Sequence, residues 1–551
     1  MNILSYQIGV YKKKYIFIHK MLVFFHILCY YYLHTKKMGG LKLTQENICI
    51  LIAIILYMLV VMGIGVWFSR RNKTADDFYL GGRKLGPFVT AMSAEASDMS
   101  SYLLMGVPGL AYLTGLADAS WTAIGLIIGT YLNWLIVAKK LRNYSSRIGA
   151  TTIPAFFSER FKDKSRALSV IAAVVIIIFF VPYTASGFAA CGKLFNSLFG
   201  VDYLVAMLIC AGVIIMYTML GGFLAASTSD FLQSIIMTIA LVIVLVYGTV
   251  SAGGVSEVVE NAKALPGYLS LRNIYVPATN TSEVYGIFRS CSMLAWGLGY
   301  FGMPHILLRF MAIEDAKKLK LSRRVASTWC LISLAVATLI GIIGMGMVKH
   351  GVMAPLEDPE RVLIEIAKLL GSNGVIAALV AGVILAGILA ATMSTADSQL
   401  LAASSSVSQN IVKEKLFPKM SDDTTMVIAR FTLVAIAIVA AFLARDPNSS
   451  VFGIVSFAWA GFGAAFGPVM LAALFWKRTT KQGALAGMIT GGAMVFIWKY
   501  GIAKLGGVLA IYELLPAFIF GLIAIIVVSL LTKAPDKEIT DEFDAVTAMK
   551  N

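Results

Sequence analysis

Apolar residues in this chain come in long unbroken runs separated by short polar stretches. They do not recur at every second or third position, as they would on a half-buried strand or a surface helix. A helix that crosses a bilayer needs about 20 mostly apolar residues. Stretches of about that length cover 46–68, 87–113, 119–138, 167–192, 203–220, 227–250, 284–308, 325–348, 373–402, 425–444, 450–476, 483–503 and 508–532. The pattern predicts an all-α polytopic membrane protein with about 13 transmembrane helices. A further run, Met21 to Leu33, is broken by His26 and follows Lys12, Lys13 and Lys14. It is too short for a span, and no small-residue cleavage site follows it. Residues 1–37 are therefore read as an N-terminal extension, with translation expected to begin at Met38.

Composition agrees with the pattern. Of 551 residues, 58% are hydrophobic and 14% charged, against about half and about a quarter in soluble domains. Intrinsic disorder and a disulfide-stapled secreted fold are excluded. The net charge of +16 would suggest nucleic acid in a soluble protein, but here the basic residues sit in short loops. With loop 69–86 placed inside the cell, the inner loops, tail and adjoining span ends hold 29 Lys and Arg and the outer loops and span ends ten; seven precede the first span. That bias puts the N-terminus outside and the C-terminus in the cytoplasm, in a plasma membrane. The six cysteines lie in or beside apolar runs and read as buried hydrophobes. Five histidines, three of them in the first 34 residues, supply neither a zinc motif nor a Ser/His/Asp set. No G-x-x-x-x-G-K-[ST] is present, so nucleotide-driven pumping is not expected. No cofactor, catalytic residue, nucleic-acid partner or obligate protein partner is inferred.

Two spans are unsuited to plain anchoring. The second contains Glu95, Ser97, Asp98, Ser100 and Ser101; the seventh contains Gly297, Gly299, Gly302 and Pro304. Such residues favour an unwound backbone, whose freed N–H and C=O groups need partners inside the membrane. Interrupted helices in corresponding positions of two halves point to an inverted-repeat secondary transporter; two kinked helices in a bundle are the plain alternative. Asp98 is the sharpest residue. A carboxylate at mid-span costs at least ~2.5 kcal/mol, and no Lys or Arg shares its span, so a bound cation is its expected counter-charge. In the ninth span Ala391, Ser394 and Thr395 share one helix face. One carbonyl and two hydroxyls suit a hard cation such as Na⁺, with the carbonyls of Ala96 and Met99 completing the shell. Taken alone, Ser-Thr in such a helix more often back-bonds to the previous turn.

The runs "DDFYLGGRKLGPFVTAMSAEASDMS" (76–100), "LLMGVPG" (103–109), "YTMLGGFLA" (217–225), "WGLGYFGMPHILLRFMA" (296–312), "MSTADSQLL" (393–401) and "FAWAGFGAAFGP" (457–468) resemble the sodium:solute symporter family, its bacterial proline-transporting members most of all. The resemblance covers essentially the whole chain from Met38 to about Ala534. It implies a leucine-transporter-type core of two inverted five-helix repeats, spans 2–6 and 7–11, with three peripheral spans. The expected organisation is a peripheral first helix and loop (38–86), a first repeat (87–252), a second repeat (253–476), two peripheral spans (477–534) and a cytoplasmic tail (535–551).

By the same resemblance Na⁺ is the coupling ion, held by Ala96, Met99, Ala391, Ser394 and Thr395 with Asp98 as the linked acid. L-proline is the expected substrate, lying beside Ser100 and Ser101 with walls from Tyr102, Tyr183, Trp296, Tyr300 and Pro304. Tyr183 alone would read as ordinary interior packing. Arg83, Asp230 and Asp397 are coupling or gating candidates. Their plain alternatives are an inner-face charge for Arg83, a favourable acid near a helix N-terminus for Asp230, and local pairing for Asp397. The chain departs from the family's proline-transporting pattern at Ser101 and Tyr102, where Gly-Trp is usual, at Met303, where Gln is usual, and at Glu95, usually small or neutral. All lie near the expected pocket, so a same-family symporter for another amino acid, pantothenate, a carboxylate or a sugar stays open. A channel, or a membrane enzyme built on His305, is a more distant alternative.

Overall fold

The computed structural model describes residues 44–69 and 75–549; the expected extension 1–37 lies outside them. The first helix, α1 (Gln45–Ser69), shows how a span reads when it only anchors. Ile50, Ile54, Tyr57 and Val61 form a buried stripe at helical spacing, while Ile52, Leu56 and Leu59 face outwards. In water that outer face would be costly; in lipid it is the matched solvent.

From there one order of elements occurs twice. After the short α2 (Ala75–Leu80), α3 (Pro87–Ser101) and α4 (Val107–Thr114) are two halves of one crossing, joined by a wide turn at Tyr102–Gly106. Next come α5 (Leu116–Leu132) running on into α6 (Ala138–Arg147), a short α7 (Ile153–Arg160) and α8 (Ala167–Phe199). Then α9 (Tyr203–Ser251) folds back on itself at Gly222 (φ 62°), which brings the hydroxyls of Tyr217 and Ser229 into contact. The second series follows the small α10 (Val255–Lys263). A broken crossing is formed by α11 (Ile287–Leu294), a tight helical stretch Ala295–Phe301, and α12 (Pro304–Ala312). After it come α13 (Leu319–Lys349), a short α14 (Val362–Gly371), α15 (Val375–Ser405), α16 (Asp422–Leu443) and α17 (Val451–Phe475). Each series makes five crossings. An odd number leaves the chain on the opposite side, so the second series is inverted with respect to the first. Outside this core α18 (Lys481–Tyr500) and α19 (Leu514–Leu531) pack together. Gly483 and Gly487 of α18 sit against Ser529 and Ile525 of α19, the close small-residue packing that membrane helices use. A tail helix, α20 (Lys537–Thr547), ends the described chain.

Among the described residues ten helices are long and apolar enough to cross a membrane, and the pair Ile287–Phe301 and Pro304–Ala312, bent by 45°, makes an eleventh crossing. The other two expected spans are also helical. One is interrupted at Ser100, and the other runs only from Tyr203 to Met219. The expected all-α fold needs one amendment. Strands β1 (Asn273–Val276) and β2 (Thr281–Val284) form a two-stranded antiparallel hairpin in the loop before α11. Helices also outrun their apolar windows: α5 continues through α6 into Lys139, Lys140 and Arg142. Lys, Leu and Arg favour helix without being apolar, so hydropathy marks the bilayer better than the helix end.

Candidate functional site

The break in α3 is a backbone event at one residue. Ser100 has φ 49° and ψ −168°, a region that a side chain rarely occupies. Its Oγ accepts a hydrogen bond from the Tyr102 amide at 3.1 Å, so the side chain caps the half-helix that the break creates. The second break differs. Gly302 and Met303 separate the tight turn at Ala295–Phe301 from α12, whose first residue is Pro304. Its glycines serve close approach. A Cβ on Gly297 would sit 2.2 Å from the Gly125 carbonyl oxygen, and one on Gly299 would sit 2.0 Å from Trp459 Nε1.

Three elements meet where α3 breaks. Ser394 Oγ on α15 donates to the Ala96 carbonyl at 2.8 Å and lies 3.1 Å from the Ala391 carbonyl. Thr395 Oγ1 donates to the same Ala391 oxygen at 3.1 Å. Two carbonyls and two hydroxyls thus lie together, all buried. The back-bonding expected of Ser-Thr is present, and Ser394 also reaches across to α3. Hydroxyls that donate to carbonyls can turn their protons away and offer lone pairs instead, so the cluster can exchange hydrogen bonds for a cation. Met99 is buried three residues before the wide turn.

Asp98 Oδ2 accepts from the Tyr300 hydroxyl at 2.5 Å, and Tyr183 Oη donates to the Asp98 carbonyl at 3.2 Å. Tyr183 therefore does more than pack. Glu95, one turn earlier, accepts from Thr130 (3.0 Å) and Trp134 (3.2 Å). Among the described residues neither acid forms an ion pair. Two buried acids without an ion-pair partner favour a cationic guest.

Beyond the break lies a stack of aromatic rings. Tyr102 lies 5.4 Å from Trp296 and 5.8 Å from Phe452; Trp296 lies 5.0 Å from Tyr512. Trp459 Nε1 donates to the Trp296 carbonyl at 2.8 Å and meets the Tyr300 ring edge-on. Ser101 is buried beside them, and Pro304 is buried at the head of α12. Such faces suit an apolar ring carrying a positive nitrogen. Phe452, Trp459 and Tyr512 were not singled out from the sequence. Trp459 stands inside the "FAWAGFGAAFGP" run, and its spacing to small residues was the available signal.

Two further networks flank the site. On one side Arg309 of α12 is fully buried. It donates to Ser93 (3.0 Å), Asp230 (3.0 Å), Ser398 (2.6 Å) and the His305 carbonyl (2.9 Å). Arg309 falls one residue past the expected span 284–308, where it would count as an inner-loop charge, but α12 carries it inwards. Asp230 stands eight residues past Gly222, beyond a first helical turn, and is this arginine's ion-pair partner. Asp397 joins the network through Ser398 at 3.1 Å. Nearby, Arg83 ties three segments together, donating to the carbonyls of Met311 (2.7 Å), Ser145 (3.1 Å) and Ala150 (2.6 Å). Leu85 pairs with Ala312 and Glu314 through backbone hydrogen bonds. On the other side Glu360 accepts from Lys193 (2.7 Å), Ser450 and the amides of Val451 and Phe452, fixing the start of α17 and with it the ring of Phe452.

The sodium:solute symporter family pattern matches residues 78–491. The osmoregulated proline transporter OpuE of Bacillus subtilis is 42% identical over 493 residues, 89% of this chain and 96% of its own. The sodium/proline symporter of Escherichia coli is 42% identical over 492 residues, 89% and 94% of the two chains. Among solved structures, a substrate-bound, outward-open Na⁺-coupled sialic acid symporter superposes with a TM-score of 0.72 at 18% identity, covering 89% of this chain and 99% of its own. That likeness concerns the fold.

Proposed function

This chain belongs to the sodium:solute symporter family, and we propose that it imports L-proline together with Na⁺ by alternating access. Relatives at 42% identity over nearly their full lengths are named for proline transport, which supports the substrate. The observation that carries the ion reading is the contact of Ser394 Oγ with the Ala96 carbonyl at 2.8 Å. It joins the broken α3 to α15 at a point where four oxygens converge.

In this reading Na⁺ is held by the carbonyls of Ala96, Met99 and Ala391 and the hydroxyls of Ser394 and Thr395, with Asp98 supplying negative charge nearby. Proline lies against the α3 break. Its carboxylate meets freed amides around Ser100 and Ser101 at a half-helix N-terminus, and its ring and cationic nitrogen face Tyr102, Trp296 and Tyr300. Tyr183 and Pro304 complete the walls.

The two repeats, 87–252 and 253–476, rock against each other. The basic loops face the cytoplasm, the N-terminus lies outside and the C-terminus inside, in the plasma membrane of a bacterium. The Arg83 ties and the Arg309–Asp230–Asp397 network then close the inner path, and the Glu360 network with the aromatic stack closes the outer one. An inside-negative potential adds about 2.3 kcal/mol per Na⁺ for every 100 mV.

The test is labelled L-proline uptake into proteoliposomes with and without an inward Na⁺ gradient, with competing solutes. Accumulation that needs Na⁺ and yields only to proline analogues is expected. Na⁺-driven uptake of a different solute would move the substrate and keep the mechanism, placing the error at Ser101, Tyr102 and Met303.

A further inference from the structure

A groove of about 450 Å³ opens on the lipid-facing side of the helix bundle, between α3, α9 and α13. Leu241, Val242, Trp329, Ile332 and Val336 make its wall, and Arg324 stands at one end. Trp329 has spent its indole N–H on Thr238 at 2.9 Å, which leaves its ring face to the groove. From Arg324 to Val336 the helix rises about 18 Å, slightly more than the depth of one leaflet of a ~30 Å hydrocarbon core.

Arg324 differs from its neighbours. Lys318 is paired with Glu314 at 2.6 Å, and Arg323 lies over the Tyr131 ring. Arg324 is exposed and has no ion-pair or hydrogen-bond partner among the described residues. Lys320, one turn before it, is exposed too. A cation heading an apolar, leaflet-deep groove in a membrane protein complements one kind of molecule in its surroundings: a lipid with an anionic head and an extended acyl chain.

We propose that this groove is a specific site for an anionic phospholipid of the inner leaflet, with its phosphate on Arg324 and Lys320 and one acyl chain along Trp329, Ile332 and Val336. The inference rests on the reading that the connection 313–318 between α12 and α13, with the basic start of α13, faces the cytoplasm. The site bears on transport because Met92 lines it. Met92 precedes Ser93, which donates to Asp230 at 2.7 Å and accepts from Arg309. A chain in the groove therefore touches α3 on the same turn that holds the inner network, and steadies it against α9 and α13.

The experiment uses the full chain, delipidated and then offered phosphatidylglycerol or phosphatidylcholine. Retained lipid is counted by native mass spectrometry, which does not depend on transport. Wild type is expected to retain one phosphatidylglycerol and to prefer it at least fivefold over phosphatidylcholine. R324Q should abolish the preference, and I332W, which fills the groove, should abolish retention. K349Q, at the far end of the same helix, should leave both unchanged. Equal retention of the two lipids by wild type, or an unchanged preference in R324Q, would overturn the proposal. Uptake in vesicles is the second readout: adding phosphatidylglycerol should raise the initial rate several-fold in wild type and not in R324Q. A change in lipid retention without any Na⁺-dependent uptake in wild type would fault the transport reading and leave the lipid site standing.

Discussion

Tyr300 donates its hydroxyl to Asp98 at 2.5 Å, and this bond links the break in the first repeat's crossing to the break in the second's. The acid proposed to serve Na⁺ is thus also the point at which the two breaks report on each other. A hydrogen bond to a charged group contributes about 1.5–3 kcal/mol. Y300F is expected to raise the Na⁺ concentration for half-maximal proline uptake by roughly tenfold, with the protein still folded. An unchanged Na⁺ dependence would show that the link is only structural.

Removing the charge itself goes further. D98N should abolish uptake, or shift its Na⁺ requirement by more than Y300F does. Normal Na⁺ dependence in that variant would defeat the ion assignment.

S394A tests the oxygen cluster from its other side. Ser394 is buried, and among the described residues its hydroxyl bonds to the carbonyls of Ala96 and Ala391 alone. Its loss should weaken Na⁺ activation about tenfold or more and leave proline affinity at saturating Na⁺ within about twofold, the change a lost ion ligand causes. Uptake titrations in both ligands separate the cases.

The Lys193–Glu360 pair makes a prediction about stability. Both side chains are buried and 2.7 Å apart. Removing one partner of such a pair costs about 3–5 kcal/mol, whereas replacing both with residues that pack well is far milder. K193M should therefore lower the melting temperature in detergent more than the double variant K193M/E360Q does. A double variant that melts lower than the single one would mean that the contact of Glu360 with the Val451 and Phe452 amides matters more than the ion pair.

Asp163 sets a pH dependence in the loop between α7 and α8. Burial alone would raise its pKa, but hydrogen bonds from Ser165, the Leu168 amide and Lys481 hold it below the usual carboxylate range. A depressed carboxyl contributes stability above its unfolded pKa of about 3.9, and that stability is lost as pH falls through the folded value. D163N should be less stable than wild type at neutral pH, with the gap closing below about pH 4. A gap that persists in acid would assign the effect to packing.

Much of this was legible in the residues. Length and hydropathy locate the spans, and the polar run around Asp98 and the glycines around Tyr300 locate both breaks. That Ala391, Ser394 and Thr395 share one helix face follows from helical spacing alone. What could not be read was which distant group each polar residue would meet. Arg309 looks like one more basic residue of an inner loop until α12 carries it against Ser93, Asp230 and Ser398, each on a different helix. Phe452 and Tyr512 sit in ordinary apolar runs. Only the packing of α17 and the segment before α19 against Trp296 makes them part of a ring stack. Periodicity describes one helix at a time and carries no information about neighbours hundreds of residues away.

The conformation of Ser100 has a consequence for how durable this carrier can be. A serine held at φ 49° and ψ −168° costs about 1–3 kcal/mol, a penalty that glycine would escape at the loss of the cap to the Tyr102 amide, about a few tenths of a kcal/mol. Glycine there would make the broken crossing cheaper to keep and a rewound one comparatively dear. S100G should therefore yield a hardier protein that turns over more slowly, exchanging speed for shelf life at a single backbone angle.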